Sequence, residues 1–196
     1  MGDHEVGHAL NDIGVRLGRS GKEEAALAVF EESIELEPQY ALAYYNMGNT
    51  LNNLGQPAEA MKAYDSAIQY GDTGVIVISL IDKGNIFLSW KRYQEALSTF
   101  NEALRLDPQD ALAYNGKGNA LQYLRRYQEA VSAFDEAIRL DPQNFTPHYN
   151  KGNLFYDRGQ YKEAVQEYDI ALRLNPQDSG ISYNRDLALK KLKRWW

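Results

Sequence analysis

The chain repeats its own sequence about every 34 residues. The recurrence is visible in the segments AYYNMGNTLNNLGQPAEAMKAYDSAI, AYNGKGNALQYLRRYQEAVSAFDEAIRLDPQ and HYNKGNLFYDRGQYKEAVQEYDIALRLNPQ. A period of this length indicates an array of small supersecondary units, each of which buries its apolar face against its neighbours. We place five units at residues 7–40, 41–76, 77–110, 111–144 and 145–178.

Fixed positions in every unit predict how two helices meet. The eighth place is always glycine: Gly14, Gly48, Gly84, Gly118 and Gly152. The twentieth place of each unit is always alanine: Ala26, Ala60, Ala96, Ala130 and Ala164. An aromatic residue follows four places later: Phe30, Tyr64, Phe100, Phe134 and Tyr168. The small residues let the two helices of a unit approach closely, and the aromatic ring fills the space beside them. A proline that closes four of the units disfavours helix in the residue before it.

This pattern resembles the tetratricopeptide repeat family across residues 7–178. The resemblance implies an all-α, right-handed superhelical solenoid of five helix-turn-helix repeats. It also implies a non-enzymatic adaptor or scaffold that binds a peptide segment of another protein in a concave groove lined by the first helices. The second unit departs from the pattern, because it lacks the proline and carries two extra residues around Gly71-Asp72-Thr73-Gly74. We expect that corner to be reshaped.

The segments outside the repeats are an N-terminal extension, 1–6, and a C-terminal segment, 179–196. The pattern of the C-terminal segment predicts an amphipathic capping helix, followed by a basic tail that ends in two tryptophans. Its apolar residues are expected to cover the last repeat: Ile181, Leu187, Ala188 and Leu192. A repeat array needs such a cap for solubility.

The predicted groove residues lie on the faces of the first helices that point away from the packed stripe. They are Tyr45, Asn46, Asn49, Ile81, Asn85, Leu88, Leu112, Asn115, Asn119, Tyr123, Tyr149, Asn150, Asn153 and Tyr156. This set carries almost no charge, and soluble proteins rarely leave so much apolar and aromatic surface without a partner. A row of amides can follow a peptide backbone, because each amide donates and accepts hydrogen bonds. Two alternatives stay open: asparagine is common at these places whatever the ligand, and single Leu or Ile residues can pack between repeats.

The resemblance also tests one well-known ligand class. Chaperone adaptors of this family hold acidic C-terminal tails with Lys, Asn and Arg at five fixed places. In repeats two to four those places are occupied by Tyr45, Asn49, Asp82, Leu112 and Gly116. Without cations a terminal carboxylate gains no charge-assisted hydrogen bond, so we do not expect chaperone tails as ligands. The repeating Lys83, Lys117 and Lys151 are expected to pair with acids of neighbouring helices such as Asp135 and Asp169.

A short motif near the start, HEVGH at residues 4–8, matches the zinc signature H-E-x-x-H. The spacing puts His4 and His8 on one face of a helix with Glu5 nearby. A catalytic zinc needs a third protein ligand, and the extended motif would require Gly at Asn11 and His at Gly14. We therefore predict no catalytic residues, no metal and no cofactor, and keep a zinc hydrolase as a remote alternative.

The composition limits which classes of partner and which cellular location are expected. The formal net charge is −6, so we expect no basic surface that would bind the phosphate backbone of a nucleic acid. No apolar run is long enough to span a membrane. With no cysteine and no secretion-signal pattern, the expected location is cytoplasmic. The partner is therefore expected to be a protein that offers a neutral or apolar peptide segment. Self-association into a homo-oligomeric scaffold is the alternative, through Trp195 and Trp196 or through the groove.

Overall fold

The chain is all-α in the computed structural model, which describes residues 2–193. Within that range the helices are α1 Asp3–Arg19, α2 Glu23–Leu36, α3 Ala41–Asn53, α4 Pro57–Tyr70, α5 Thr73–Ser89, α6 Tyr93–Leu106, α7 Ala111–Tyr123, α8 Tyr127–Leu140, α9 Phe145–Asp157, α10 Tyr161–Leu174 and α11 Ser179–Lys193. No strand occurs among these residues. The predicted all-α helical-repeat fold is confirmed.

The helices belong to two compact units. Unit 1 contains the chain up to Trp90 together with Arg105–Asp107, and unit 2 contains Lys91–Leu104 and the chain from Pro108 onward. In unit 1, α1 packs against α2 and α3 against α4, while α2 and α4 contact the first helix of the following hairpin. In unit 2 the same order relates α7 to α8, α9 to α10 and α10 to α11.

The glycine and aromatic positions make the contact that the sequence predicts. A Cβ atom added to Gly14 would lie 2.5 Å from Cε1 of Phe30, and one added to Gly118 would lie 2.5 Å from Cε1 of Phe134. The second and fifth repeats give the same contact, at 2.6 Å in each. The alanines at the twentieth place and the aromatic residues four places later are buried in all five units. In the first, second, fourth and fifth hairpins an aromatic ring therefore lies directly on the backbone of the glycine.

The helix ends follow from local backbone chemistry. Glu37 ends α2 with φ −136° and ψ 84°, the extended conformation that a following proline imposes. Asp110 and Asn144 cap the starts of α7 and α9 by accepting backbone N–H groups through their side chains. The turns between paired helices need a left-handed residue, and Gly55 supplies it at φ 75°. Arg125 takes the same conformation at φ 60°.

The corner of the second unit is reshaped as expected. Without a proline, α4 runs to Tyr70, and only Gly71 and Asp72 separate it from α5. The Asp72 carboxylate accepts the Val75 backbone N–H at 3.0 Å and so starts α5 early. As a result α5 has 17 residues, where α3, α7 and α9 have 13.

Both ends of the described chain are helical. The first helix begins at Asp3, so residues 3–6 of the predicted extension continue α1. In α11, Ile181 and Ala188 are buried and join the core of the last hairpin, whereas Leu187 and Leu192 stay partly exposed. Trp195 and Trp196 lie outside the residues that the structure describes. None of the described helices is both long and apolar enough to span a bilayer.

Candidate functional site

Most of the predicted groove residues keep part of their surface exposed. In unit 1 this holds for Tyr45, Asn46, Asn49, Asn85 and Leu88, and in unit 2 for Leu112, Asn115, Asn119, Tyr123, Tyr149, Asn150, Asn153 and Tyr156. Leu112 and Tyr123 are the most exposed large apolar side chains of the set, at 56% and 58%. Ile81 departs from the expectation, because it is only 6% exposed. Ser79 and Ile86, which lie on the side of α5 opposite Ile81, are buried as well, so more than one face of this helix is covered.

Unit 2 contains a cleft of about 380 Å³. Its lining consists of Asn119, Gln122, Tyr123, Asn150, Asn153, Tyr156, Asp157, Tyr168, Asn184 and Leu187. The cleft brings together five of the predicted groove residues from α7 and α9 with residues of α10 and α11. Leu112, Asn115 and Tyr149 do not line it. Asp157 is the one charged group of the lining, and Gln122 Nε2 donates to its carboxylate at 3.2 Å.

Unit 1 contains a smaller cleft of about 280 Å³. Of the predicted residues it gathers Asn46 and Asn49, and it adds Asn53, Arg19 and Glu23. The Asn53 amide donates to the Glu23 carboxylate at 3.3 Å. This cleft carries both charge signs, so it is chemically different from the cleft of unit 2.

Asparagines at the sixth place connect successive repeats. Asn46 Nδ2 donates to Asn11 Oδ1 at 2.8 Å, and Asn150 Nδ2 donates to Asn115 Oδ1 at 3.0 Å. Asn184 repeats the pattern toward the Tyr149 hydroxyl at 3.0 Å. Each of these bonds joins one repeat to the next, or the last repeat to α11, so the repetition of asparagine at the sixth place has a structural cause. The sequence indicates this contact through a polar residue at the fifth place of one unit together with an asparagine at the sixth place of the next unit.

Asparagines at the ninth place differ from repeat to repeat. Tyr64 Oη donates to Asn49 Oδ1 at 2.6 Å, because the aromatic residue of that repeat carries a hydroxyl. In the fourth repeat the aromatic residue is Phe134, which has no hydroxyl to donate. Within the described part of the chain, the Asn119 side chain makes no hydrogen bond. Its amide is therefore free to serve a ligand in the cleft of unit 2.

The tyrosine donors stay protonated. Burial raises the pKa of the Tyr168 hydroxyl above its usual value, and the nearby Tyr149 and Asp157 raise it further. Burial likewise raises the pKa of Tyr64, with Asp82 adding to the effect. Both hydroxyls therefore remain hydrogen-bond donors through the neutral pH range.

The lysines of the seventh place behave largely as expected. Lys83 pairs with Asp65, and Lys151 Nζ lies 2.7 Å from Asp135 and 2.8 Å from Glu167. Asp169, the other expected acid, pairs with the seventh-place arginine of α11, Arg185. Lys117 instead lies over the Tyr114 ring, 6.0 Å from its centroid. The acid place that would face Lys117 is occupied by the uncharged Asn101.

The two histidines of the zinc signature face an acid that sequence spacing does not identify. His4 and His8 lie beside Glu37 at the end of α2, with donor atoms within 4.8 Å of one another. Glu5, the expected base of a hydrolase, accepts the Gly2 backbone N–H at 3.3 Å at the helix start. Glu37 lies 29 positions after His8, so only the closure of the first hairpin brings it to the histidines.

Family comparisons agree with the repeat pattern. Models described as "Tetratricopeptide repeat" match residues 7–40, 29–62 and 115–179, and one described as "TPR repeat" matches residues 84–124. Together these matches extend over most of the chain.

Similar proteins of known name share the repeats with this chain. A UDP-N-acetylglucosamine–peptide N-acetylglucosaminyltransferase of Giardia intestinalis is 23% identical over 112 residues, 57% of this chain and 7% of that protein. The protein O-mannosyl-transferase Tmtc3 of Drosophila melanogaster is 39% identical over 57 residues, 29% of this chain and 6% of that protein. Among solved structures, MamA residues 41-end from Desulfovibrio magneticus RS-1 superposes with a TM-score of 0.74 at 27% identity, covering 91% of this chain and 99% of that one. The chain thus spans a small fraction of the two transferases.

Proposed function

The chain belongs to the tetratricopeptide repeat family, whose repeats typically form non-catalytic scaffolds for binding other proteins, and we propose that it binds a peptide segment of a partner protein in the cleft of unit 2. The observation that carries the proposal is the free amide of Asn119 in a cleft otherwise lined by tyrosines and asparagines.

The polar groups of this cleft suit a peptide backbone. Asn119 offers both a donor and an acceptor, since its amide has no partner among residues 2–193. Asn153 differs, because its Oδ1 accepts from Tyr168 Oη at 2.7 Å and from Asn184 Nδ2 at 3.1 Å. The Asn153 Nδ2 group is left to donate to a peptide carbonyl. Tyr123 and Tyr156 supply contact area with few rotatable bonds.

The charge of the cleft limits the ligand. Asp157 is exposed and is its one charged lining residue, so nothing there compensates a carboxylate of the ligand. An acidic peptide would lose hydration without gaining a charge-assisted hydrogen bond. We therefore favour a neutral or apolar peptide.

The test is selection from a peptide display library on the full chain, followed by affinity measurement of the selected peptides. Asn119→Ala should weaken binding roughly tenfold, because up to two hydrogen bonds of about 0.5–1.5 kcal/mol each are lost. Asn101→Ala is the matched control, since Asn101 is an exposed asparagine on α6 that does not line the cleft. Equal affinities for the wild type and Asn119→Ala would contradict the proposal.

Self-association is the second candidate function. Tyr183 on α11 is 65% exposed, which gives the last described helix a large aromatic contact group. The expected contribution of Trp195 and Trp196 stays a prediction, since both lie outside the described residues. Light scattering over a concentration series separates the candidates. A constant mass near 22.3 kDa favours the adaptor, and an oligomer that is lost in Tyr183→Ser or on deletion of the two tryptophans favours the scaffold.

A further inference from the structure

The first hairpin brings two imidazoles and one carboxylate together away from both clefts. His4 and His8 are four residues apart on α1, and therefore share one face of that helix. Glu37 ends α2, whose C-terminus lies beside the N-terminus of α1. The cluster thus joins the beginning of one helix to the end of the next.

The donor atoms are separated as ligands of one metal ion are. His4 Nε2 lies 3.4 Å from Glu37 Oε1, and His8 Nε2 lies 3.2 Å from Glu37 Oε2. Two donor atoms on a tetrahedral zinc ion with bonds of about 2.0–2.2 Å stand about 3.3–3.6 Å apart. The observed nitrogen–oxygen distances already match that separation. The three donor atoms lie within 4.8 Å of one another, so the three side chains can reach one ion once the stacked imidazole rings tilt toward it.

Packing holds the ligands in place. The His8 ring stacks on Tyr40 with centroids 4.0 Å apart and planes 6° apart, and the His4 ring stacks on His8 at 4.2 Å. Beneath them the hydroxyl of Ser33 donates to the Gly7 carbonyl at 2.7 Å. That bond is unique to the first repeat, since the other repeats have alanine at the place of Ser33. The two helix ends are thereby fixed next to each other.

One atom of the cluster lacks a partner that a cation would supply. Glu37 Oε2 is buried and accepts no hydrogen bond from any described residue, although His8 Nε2 is 3.2 Å away. A buried carboxylate oxygen without a donor is costly. A bound cation would satisfy it together with the lone pairs of both imidazoles.

The donor set selects the class of metal. Two imidazole nitrogens and one carboxylate oxygen suit zinc and its first-row neighbours, whereas calcium and magnesium prefer oxygen ligands alone. We propose that His4, His8 and Glu37 form a zinc-binding site that fastens α1 to α2. Glu5 accepts the Gly2 backbone N–H at the start of α1 and does not belong to the cluster, so we assign the site a structural role in the hairpin. This assigns a metal to residues for which the sequence predicted none.

The test is zinc titration of the tag-free full chain, treated with chelator beforehand, by calorimetry and by thermal unfolding. The wild type should bind one zinc ion and melt at a higher temperature with zinc than without it. Glu37→Gln and His4→Gln should each weaken zinc binding roughly tenfold or more. Glu35→Gln is the matched control, since Glu35 is an exposed acid two residues before Glu37 and lies outside the cluster.

Two outcomes would overturn the proposal. One is a wild type that binds no zinc, and the other is zinc binding that persists unchanged in Glu37→Gln, which would leave the histidines acting without the acid. A visible absorption spectrum of the cobalt-loaded wild type provides a readout that does not depend on any variant folding. Intense tetrahedral-type bands support the site, and a spectrum equal to that of cobalt in buffer refutes it.

Discussion

The hydroxyl of Tyr168 donates a hydrogen bond of 2.7 Å to the side-chain oxygen of Asn153, fifteen residues earlier. Tyr64 and Asn49 form the same bond at 2.6 Å. Where the aromatic residue is phenylalanine, the bond is missing, as at Phe134 opposite Asn119. In the fourth repeat the lack of this hydroxyl leaves the Asn119 side-chain oxygen without the hydrogen bond that Asn49 and Asn153 accept.

Adding a hydroxyl to the Phe134 ring should therefore occupy the side-chain oxygen of Asn119. Phe134→Tyr should place a hydroxyl against Asn119 Oδ1, since Phe134 contacts Gly118 as Tyr168 contacts Gly152. We expect peptide affinity to fall about three- to tenfold with little change in unfolding free energy. Isothermal calorimetry with a selected peptide and urea denaturation measure the two quantities. An unchanged affinity in a correctly folded Phe134→Tyr would mean that the Asn119 oxygen accepts nothing from the ligand.

Replacing either of two glycines on α1 with alanine should change the unfolding free energy, but in opposite directions for the two positions. A Cβ at Gly14 would lie 2.5 Å from the Phe30 ring, whereas the nearest atom to a Cβ at Gly18 is Glu23 Oε2 at 3.6 Å. Gly14→Ala should cost about 1–3 kcal/mol of unfolding free energy through overpacking. Gly18→Ala should gain about 0.5–1 kcal/mol, because alanine loses less backbone entropy in a helix. Chemical denaturation of both variants tests this, and a stabilised Gly14→Ala would refute the close contact.

Contacts between the fixed glycine, alanine and aromatic places of the repeat were predictable from the sequence, and contacts of residues outside those places were not. The contact of Gly14 with Phe30 follows from volume at fixed places of a repeat. The burial of Ile81 does not, because α5 is lengthened at a corner without proline and is apolar on more than one face. Glu37 could not be assigned to the histidines, since a carboxylate 29 residues away reaches them only after the hairpin closes.

The asparagines illustrate the same limit at the candidate site. Their recurrence predicted polar surface, and most of them are partly exposed. Which of them are already bonded depends on pairs from different helices, such as Asn150 with Asn115. The periodic pattern shows where an amide lies, and the partner across the helix interface determines what the amide can still bind.

The interrupted row of ion pairs predicts a stabilising substitution. Lys83 and Lys151 each have an acid at the matching place of the preceding repeat, whereas Lys117 has Asn101 there. Asn101→Asp should raise the unfolding free energy by a few tenths to about 1 kcal/mol, and the gain should shrink as salt screens the pair. The control is the same substitution in a Lys117→Gln background, where no gain is expected. A gain of equal size in both backgrounds would place its origin elsewhere.

The last prediction concerns acid stability around His148, Lys151 and Glu167. The Glu167 carboxylate is mostly buried, with His148 Nδ1 at 2.7 Å and Lys151 Nζ at 2.8 Å. Burial alone would raise the pKa of Glu167, but the hydrogen bonds from His148 and Lys151 outweigh it, so the pKa lies below the ordinary 4.5. A depressed pKa contributes stability that is present above the ordinary value and is lost as pH falls through the lowered one.

Glu167→Gln should therefore lower the unfolding free energy at neutral pH by about 1–3 kcal/mol, because two charge-assisted hydrogen bonds are lost. Its stability should also fall less steeply than that of the wild type as pH drops below about 4.5. Urea denaturation between pH 7 and pH 3 measures both effects. Glu102→Gln, at an exposed acid of α6, serves as the control and should follow the wild-type curve. Parallel pH profiles for Glu167→Gln and the wild type would show that this carboxylate is not held ionised by its two neighbours.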